Sequence, residues 1–207
     1  MKRNESKLRK MSGVALMAAV IIVLANTPLG MIQLPVIKAT TVHIPVILGA
    51  VIFGPSAGAF LGAVFGVCSV LSNTFAPTLL SFAFSPFMST TGLSGAVKAL
   101  WISVGCRILM GFSAGILWKL LRKLSSKSSL TLPVEGFLMS MFHTLIVMGS
   151  IYLLLAKEYA IAKDVTADAV WGLIMGTVFA SGIPEAVAAG ILTAFIGKVL
   201  LRNDIYA

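Results

Sequence analysis

Residues 43–66 read HIPVILGAVIFGPSAGAFLGAVFG, a run with no charged residue and with glycines at 54, 58, 62 and 66. Its length would allow a single membrane span. Gly54-Pro55-Ser56, however, is a turn signal at its centre, and Pro55 suits the first turn of a new helix. The run therefore reads as two helices, one closing at Phe53 and the next opening at Pro55. The four-residue glycine spacing makes one face of the second helix almost free of side chains, which lets a neighbouring helix approach closely.

The surroundings of this run are just as apolar. Of 207 residues, 58% are hydrophobic and 11% charged, and the mean hydropathy is +1.00, outside the range of soluble globular domains. No Asp, Glu, Lys or Arg occurs between Lys38 and Lys98. The chain reads as an all-α integral membrane protein forming a single six-helix membrane domain over 1–207. Approximate helices cover 11–25, 42–53, 55–72, 99–121, 133–156 and 167–201. Asn26, Pro28 and Gly30 break the first helix, and Gly182-Ile183-Pro184 predicts a kink in the last. Pro77, Pro86, Gly92 and Gly95 predict a long apolar loop over 73–97, with a short helix dipping into the membrane surface.

Charge fixes the expected orientation. The net charge of +9 does not indicate nucleic acid, because the basic residues cluster at the termini and in one central loop without interleaved aromatics. With six spans, the terminal side carries Lys2, Arg3, Lys7, Arg9, Lys10, Lys119, Arg122, Lys123, Lys127, Lys198 and Arg202, eleven in all, against Lys38, Lys98, Lys157 and Lys163 opposite. Both termini are thus expected in the cytoplasm. Merging the second and third helices would move the central basic loop outside and weaken that bias. The basic start followed by an apolar run is read as an uncleaved first helix. Cys68 and Cys106 fall within spans as small hydrophobes and offer no disulfide framework.

Few residues can carry chemistry. Arg107, eight residues into a helix starting at Ala99, is expected about 12 Å below the outer surface, a costly place for a cation without a polar cavity or counter-charge. Glu158, Asp164 and Asp168 lie at the outer edge, and Glu185, about 27 Å from the outer end of its helix, is a poor depth match. Arg107 therefore either binds an anionic ligand or bonds loop carbonyls or Asp168. His143, about 20 Å from the outer end of helix five, either faces a ligand or makes an interhelical hydrogen bond. His43 is expected at the interface. Nothing suggests a metal site or an enzyme: the histidines are separated, and there is no phosphate loop, nucleophile elbow or paired acid. Ala15 and Ala19 form a small-residue pair on helix one.

Several of these segments together resemble one family, the substrate-binding S-components of energy-coupling factor (ECF) vitamin transporters. They are ALMAA at 15–19, TPLGMIQLPVIKATTVHIPVILGAVIFGP, the following SAGAFLGAVFG, CRILMG at 106–111 and SGIPEAVAAGIL in helix six. The likeness spans essentially the whole chain and is strongest to the pantothenate branch. It implies a bacterial cell-membrane protein with six helices and an outer vitamin pocket formed by the first and third loops with helices four to six. It implies no cofactor, and docking through Ala15 and Ala19 to a transmembrane T-component that works with two ATPase subunits. The subunit is expected to topple in the bilayer, carrying the vitamin inward. Arg107 would meet the pantothenate carboxylate, and His143, Asn73 and Thr74 its hydroxyls and amide. Where that branch is expected to carry Asn in helix five this chain has His143, which leaves riboflavin, folate or a precursor open. A stand-alone secondary transporter is a further alternative.

Overall fold

The computed structural model describes residues 2–28, 30–33, 38–125 and 127–202. Six helices run up and down: α1 (Lys2–Ala25), α2 (His43–Phe53), α3 (Pro55–Phe75), α4 (Gly92–Leu124), α5 (Ser128–Lys163) and α6 (Ala169–Leu201). Between α1 and α2 lies a small antiparallel ribbon, β1 (Met31–Gln33) with β2 (Lys38–Thr40), in which Met31 faces Thr40. Two 3₁₀ turns, Ser81–Ala83 and Pro86–Met88, occupy the α3–α4 connection. Both ends of the described chain lie at the same end of the bundle as the α2–α3 and α4–α5 turns.

The break at Gly54 is present. Gly54 has φ 91°, a region that favours glycine, and Pro55 opens α3. Five of the helices are long and apolar enough to cross a membrane, whereas α2 is not. At eleven residues it rises only about 17 Å. All of its residues except Ile52 are buried, which is where a helix apolar on every side belongs. It is the central post of the bundle.

The glycine face meets α4. A Cβ on Gly58 would overlap the Gly111 carbonyl, and one on Gly111 the Gly58 carbonyl; Gly62 lies on the Arg107 backbone and Gly66 on Ser103 and Val104. Gly115 continues the seam against Pro55. The partners descend, 115, 111, 107 and 104, as the ladder ascends, so α3 and α4 are antiparallel with backbones in contact. Within a membrane, where lipid is as apolar as leucine, such close packing rather than hydrophobic burial holds helices together.

The expected loop over 73–97 is shorter than the sequence suggested. α3 continues to Phe75 and α4 begins at Gly92, seven residues before Ala99. Gly92 and Gly95 act at the helix start, not as breakers: Gly92 has φ 64°, and Gly95 fits beneath Ser89 and Thr91, where a Cβ would overlap both hydroxyls. Helix five also runs longer, with an internal break at Leu155 (φ −135°, ψ 24°). The kink expected at Gly182-Ile183-Pro184 is a π-turn over Val178–Gly182. Proline has no N–H to give the preceding turn, and the wider turn accommodates that loss.

Two apolar clusters fill the bundle. One joins Ile21, Val46, Ile47, Leu61, Phe65 and Leu132; the other, towards the opposite end, joins Phe84, Ile102, Ile151, Leu155, Tyr159 and Ile174.

Candidate functional site

Between these clusters lies a cavity of about 70 Å³. Arg107 from α4, His143 and Thr144 from α5, and Ser181 and Glu185 from α6 line it, together with Phe65, Ser69 and Asn73 from α3. Thr40 at the end of β2 and Thr78 and Phe84 from the α3–α4 connection complete the lining at the loop end.

Arg107 is held by a local irregularity of its own helix. A π-turn at Trp101–Gly105, in which the Cys106 N–H donates to the Trp101 carbonyl, immediately precedes it. Arg107 Nη1 donates to the carbonyls of Ile102 at 3.2 Å and Ser103 at 2.7 Å. Its guanidinium also lies over the Phe65 ring at 4.5 Å and faces Phe84 at 5.7 Å, a cation–π arrangement. These contacts orient the cation but, among the described residues, leave it without a carboxylate and its buried Nε without a hydrogen-bond partner. An anion in the cavity would supply the missing partner.

The histidines stand beside it. His143 stacks on His43, ring centroids 5.7 Å apart at 24°, and tilts against Phe65 at 5.8 Å. His43, expected at the interface, is buried at 1% exposure, with the His143 ring stacked on it. His143 Nε2 is buried without a hydrogen-bond partner among the described residues.

Asn73 and Thr74, adjacent in sequence, take different roles. Asn73 lines the cavity and latches the loop: its Nδ2 donates to the Ser69 carbonyl at 2.9 Å, and its Oδ1 accepts from Ser81 Oγ at 2.9 Å. Thr74 does not line the cavity; its hydroxyl donates to the Val70 carbonyl at 2.8 Å and pairs with Ser85 Oγ at 2.7 Å. The two residues fasten the segment that brings Phe84 over Arg107.

Sequence reasoning set Glu185 aside as a poor depth match and passed over Glu135. Glu185 lies in the Arg107 cavity, not near the terminal boundary. With the true helix starts, Arg107 is fifteen residues from Gly92 and Glu185 sixteen from Ala169, about 22 and 24 Å along their helices. Their depths match, and the earlier mismatch came from starting helix four too late. The signal was in the sequence: Thr177, Ser181 and Glu185 recur every fourth residue in an otherwise apolar helix. Glu135, within α5, is fully buried, and neither of its oxygens has a hydrogen-bond partner among the described residues.

Ala15 and Ala19 are far from the cavity. Both are exposed on α1, in an open groove floored also by Ala18 and Ala57 and flanked by Phe60 of α3. Lys7 and Lys10 stand at its terminal end.

Comparison with known proteins agrees with this architecture. The family model for the ECF transporter substrate-specific component matches residues 9–197. A Lactococcus lactis subsp. cremoris protein named pantothenic acid transporter PanT is 31% identical over 170 residues, covering 80% of this chain and 79% of the relative.

Proposed function

Because the chain belongs to the family of ECF transporter substrate-specific components, a multi-pass protein of the bacterial plasma membrane, we propose that it is the pantothenate-binding subunit of such an importer. The observation that carries this reading is Arg107, a buried cation without a carboxylate partner that lines a cavity beside Asn73 and His143. Pantothenate brings the missing carboxylate. Its amide and hydroxyls match the cavity's Asn, His, Ser and Thr groups, and its methyl groups match Phe65, Phe84, Val147 and Met148. Thr74 serves this site indirectly, through Ser85 and the segment carrying Phe84. The relative named as a pantothenic acid transporter supports the same choice.

In this reading both termini are cytoplasmic, as the lysine and arginine bias requires, and the cavity opens to the outside past the β1–β2 ribbon and the α3–α4 connection. The subunit hydrolyses nothing itself. It docks on a T-component whose two ATPase partners drive the cycle, and it topples to deliver its ligand inward. The exposed, small-residue groove of α1 and α3 suits the docking of a partner helix. Filling it by Ala15→Leu and Ala19→Leu together should leave vitamin binding unchanged and abolish co-purification with the T-component; undiminished capture would remove the docking assignment.

The direct test is thermal stabilisation and calorimetry of purified protein with pantothenate, riboflavin, folate, thiamine and biotin. A ligand that binds the folded state raises its apparent stability by about 2.7 kcal/mol at one hundred times its Kd. Pantothenate alone is expected to give that shift. Stabilisation by a different vitamin would reassign the substrate, and by none would refute the site.

A further inference from the structure

Glu185 is the unexplained member of the cavity. A carboxylate in a binding site accepts hydrogen bonds and donates none when ionised, so it does not assist Arg107 in holding an anion. It repels one. Its presence on the same cavity constrains the shape and polarity of whatever binds.

The placement is specific. α5 packs against both α4 and α6, so Arg107 and Glu185 reach the cavity from either side of it at equal depth. Among the described residues they make no ion pair with each other, and the Arg107 guanidinium bonds backbone carbonyls instead. Glu185 shares the cavity lining with Thr40 at the end of β2, with Ser181 and Thr177 on the same face of α6. The cavity lining thus holds a guanidinium and, unpaired with it, a carboxylate with hydroxyls. A ligand that meets both presents an anion to the first pole and hydrogen-bond donors to the second.

We propose that Glu185 is the specificity-determining residue for the hydroxylated end of the ligand, accepting hydrogen bonds from its hydroxyl groups while Arg107 holds the carboxylate at the other end. The inference rests on the pantothenate reading above and deepens it: the substrate class is a monocarboxylate carrying hydroxyls remote from the acid. A ligand without those hydroxyls leaves Glu185 desolvated and unpartnered, which a polar site penalises heavily. A dicarboxylate is repelled at the same pole.

The test is a cycle of two ligands against three proteins, read by calorimetry in detergent. The ligands are pantothenate and N-(3,3-dimethylbutanoyl)-β-alanine, which keeps the carbon skeleton, amide and carboxylate but replaces both hydroxyls with hydrogen. The proteins are the wild type, Glu185→Gln, which keeps the side chain's shape, and Glu185→Ala. The wild type is expected to prefer pantothenate by at least about 100-fold, well short of the about 10,000-fold by which sites built around a substrate hydroxyl reject its deoxy analogue. That preference should fall at least about tenfold in both variants. A merely structural glutamate would weaken both ligands equally and leave the ratio intact, which overturns the proposal. So does a wild type that binds the two ligands alike. Failure of the wild type to bind either ligand is the separate outcome in which the pantothenate reading itself falls, and the proposal with it.

Discussion

Replacing Arg107 with alanine is expected to weaken pantothenate binding by at least about 30-fold, because truncating one partner of a buried, hydrogen-bonded charge pair costs about 2–5 kcal/mol. The substitution has a second consequence that must be separated from the first. Arg107 Nη1 satisfies the Ile102 and Ser103 carbonyls, and its guanidinium fills the space between Phe65 and Phe84. Removing it therefore also loosens the site. Pantothenol, in which CH₂OH replaces the carboxylate, distinguishes the two effects. The wild type should bind pantothenate far better than pantothenol, and Arg107→Ala should bind them about equally. Arg107→Lys should fall between, since an ammonium keeps the charge but not the planar fork. If Arg107→Ala still prefers pantothenate by the wild-type ratio, the carboxylate lies elsewhere and the proposed orientation of the ligand is wrong.

What was readable in the sequence and what was not divide along a physical line. Helix number, the split at Gly54-Pro55 and the kink before Pro184 are local matters of turn chemistry and hydropathy, and the structure contains all three. The family was legible too, because its segments recur along the whole chain. The site was harder. Arg107 and His143 were singled out by polarity within apolar helices and Asn73 through the family resemblance, and the cavity brings the three together. Thr74, equally polar and one residue away, points to Ser85 instead, since adjacent helical positions face about 100° apart. Arg107 was set too shallow by the late start given to helix four, which hid its match in depth with Glu185. Two glycines that look like loop residues proved to be where α4 begins, one with a positive φ and one beneath Ser89 and Thr91. Burial from all sides, as for His43 and Glu135, depends on which elements meet, and residue types in order do not specify that.

The glycine ladder supplies the second large effect. Gly62→Ala, the smallest possible change, places a methyl group on the Arg107 carbonyl, with the Ile108 Cα close behind. Backbone cannot rotate aside as a flexible side chain would, so α3 and α4 must separate. Overpacking of this kind costs about 1–3 kcal/mol. For a chain of this size that corresponds to a fall of several degrees in apparent melting temperature, about 2–4 °C per kcal/mol. Gly62→Leu should leave no folded protein in the membrane fraction. The carbonyl displaced belongs to Arg107 itself, so a Gly62→Ala protein that still folds should also bind pantothenate more weakly, although residue 62 does not line the cavity. Gly149→Ala and Gly172→Ala are the controls. A Cβ at either meets nothing within 4 Å, and alanine is the better helix former, so both should melt at or above the wild-type temperature. A Gly62→Ala protein as stable as those controls would mean that α3 and α4 do not touch backbone to backbone. The coupling between the glycine seam and the vitamin site would then be gone as well.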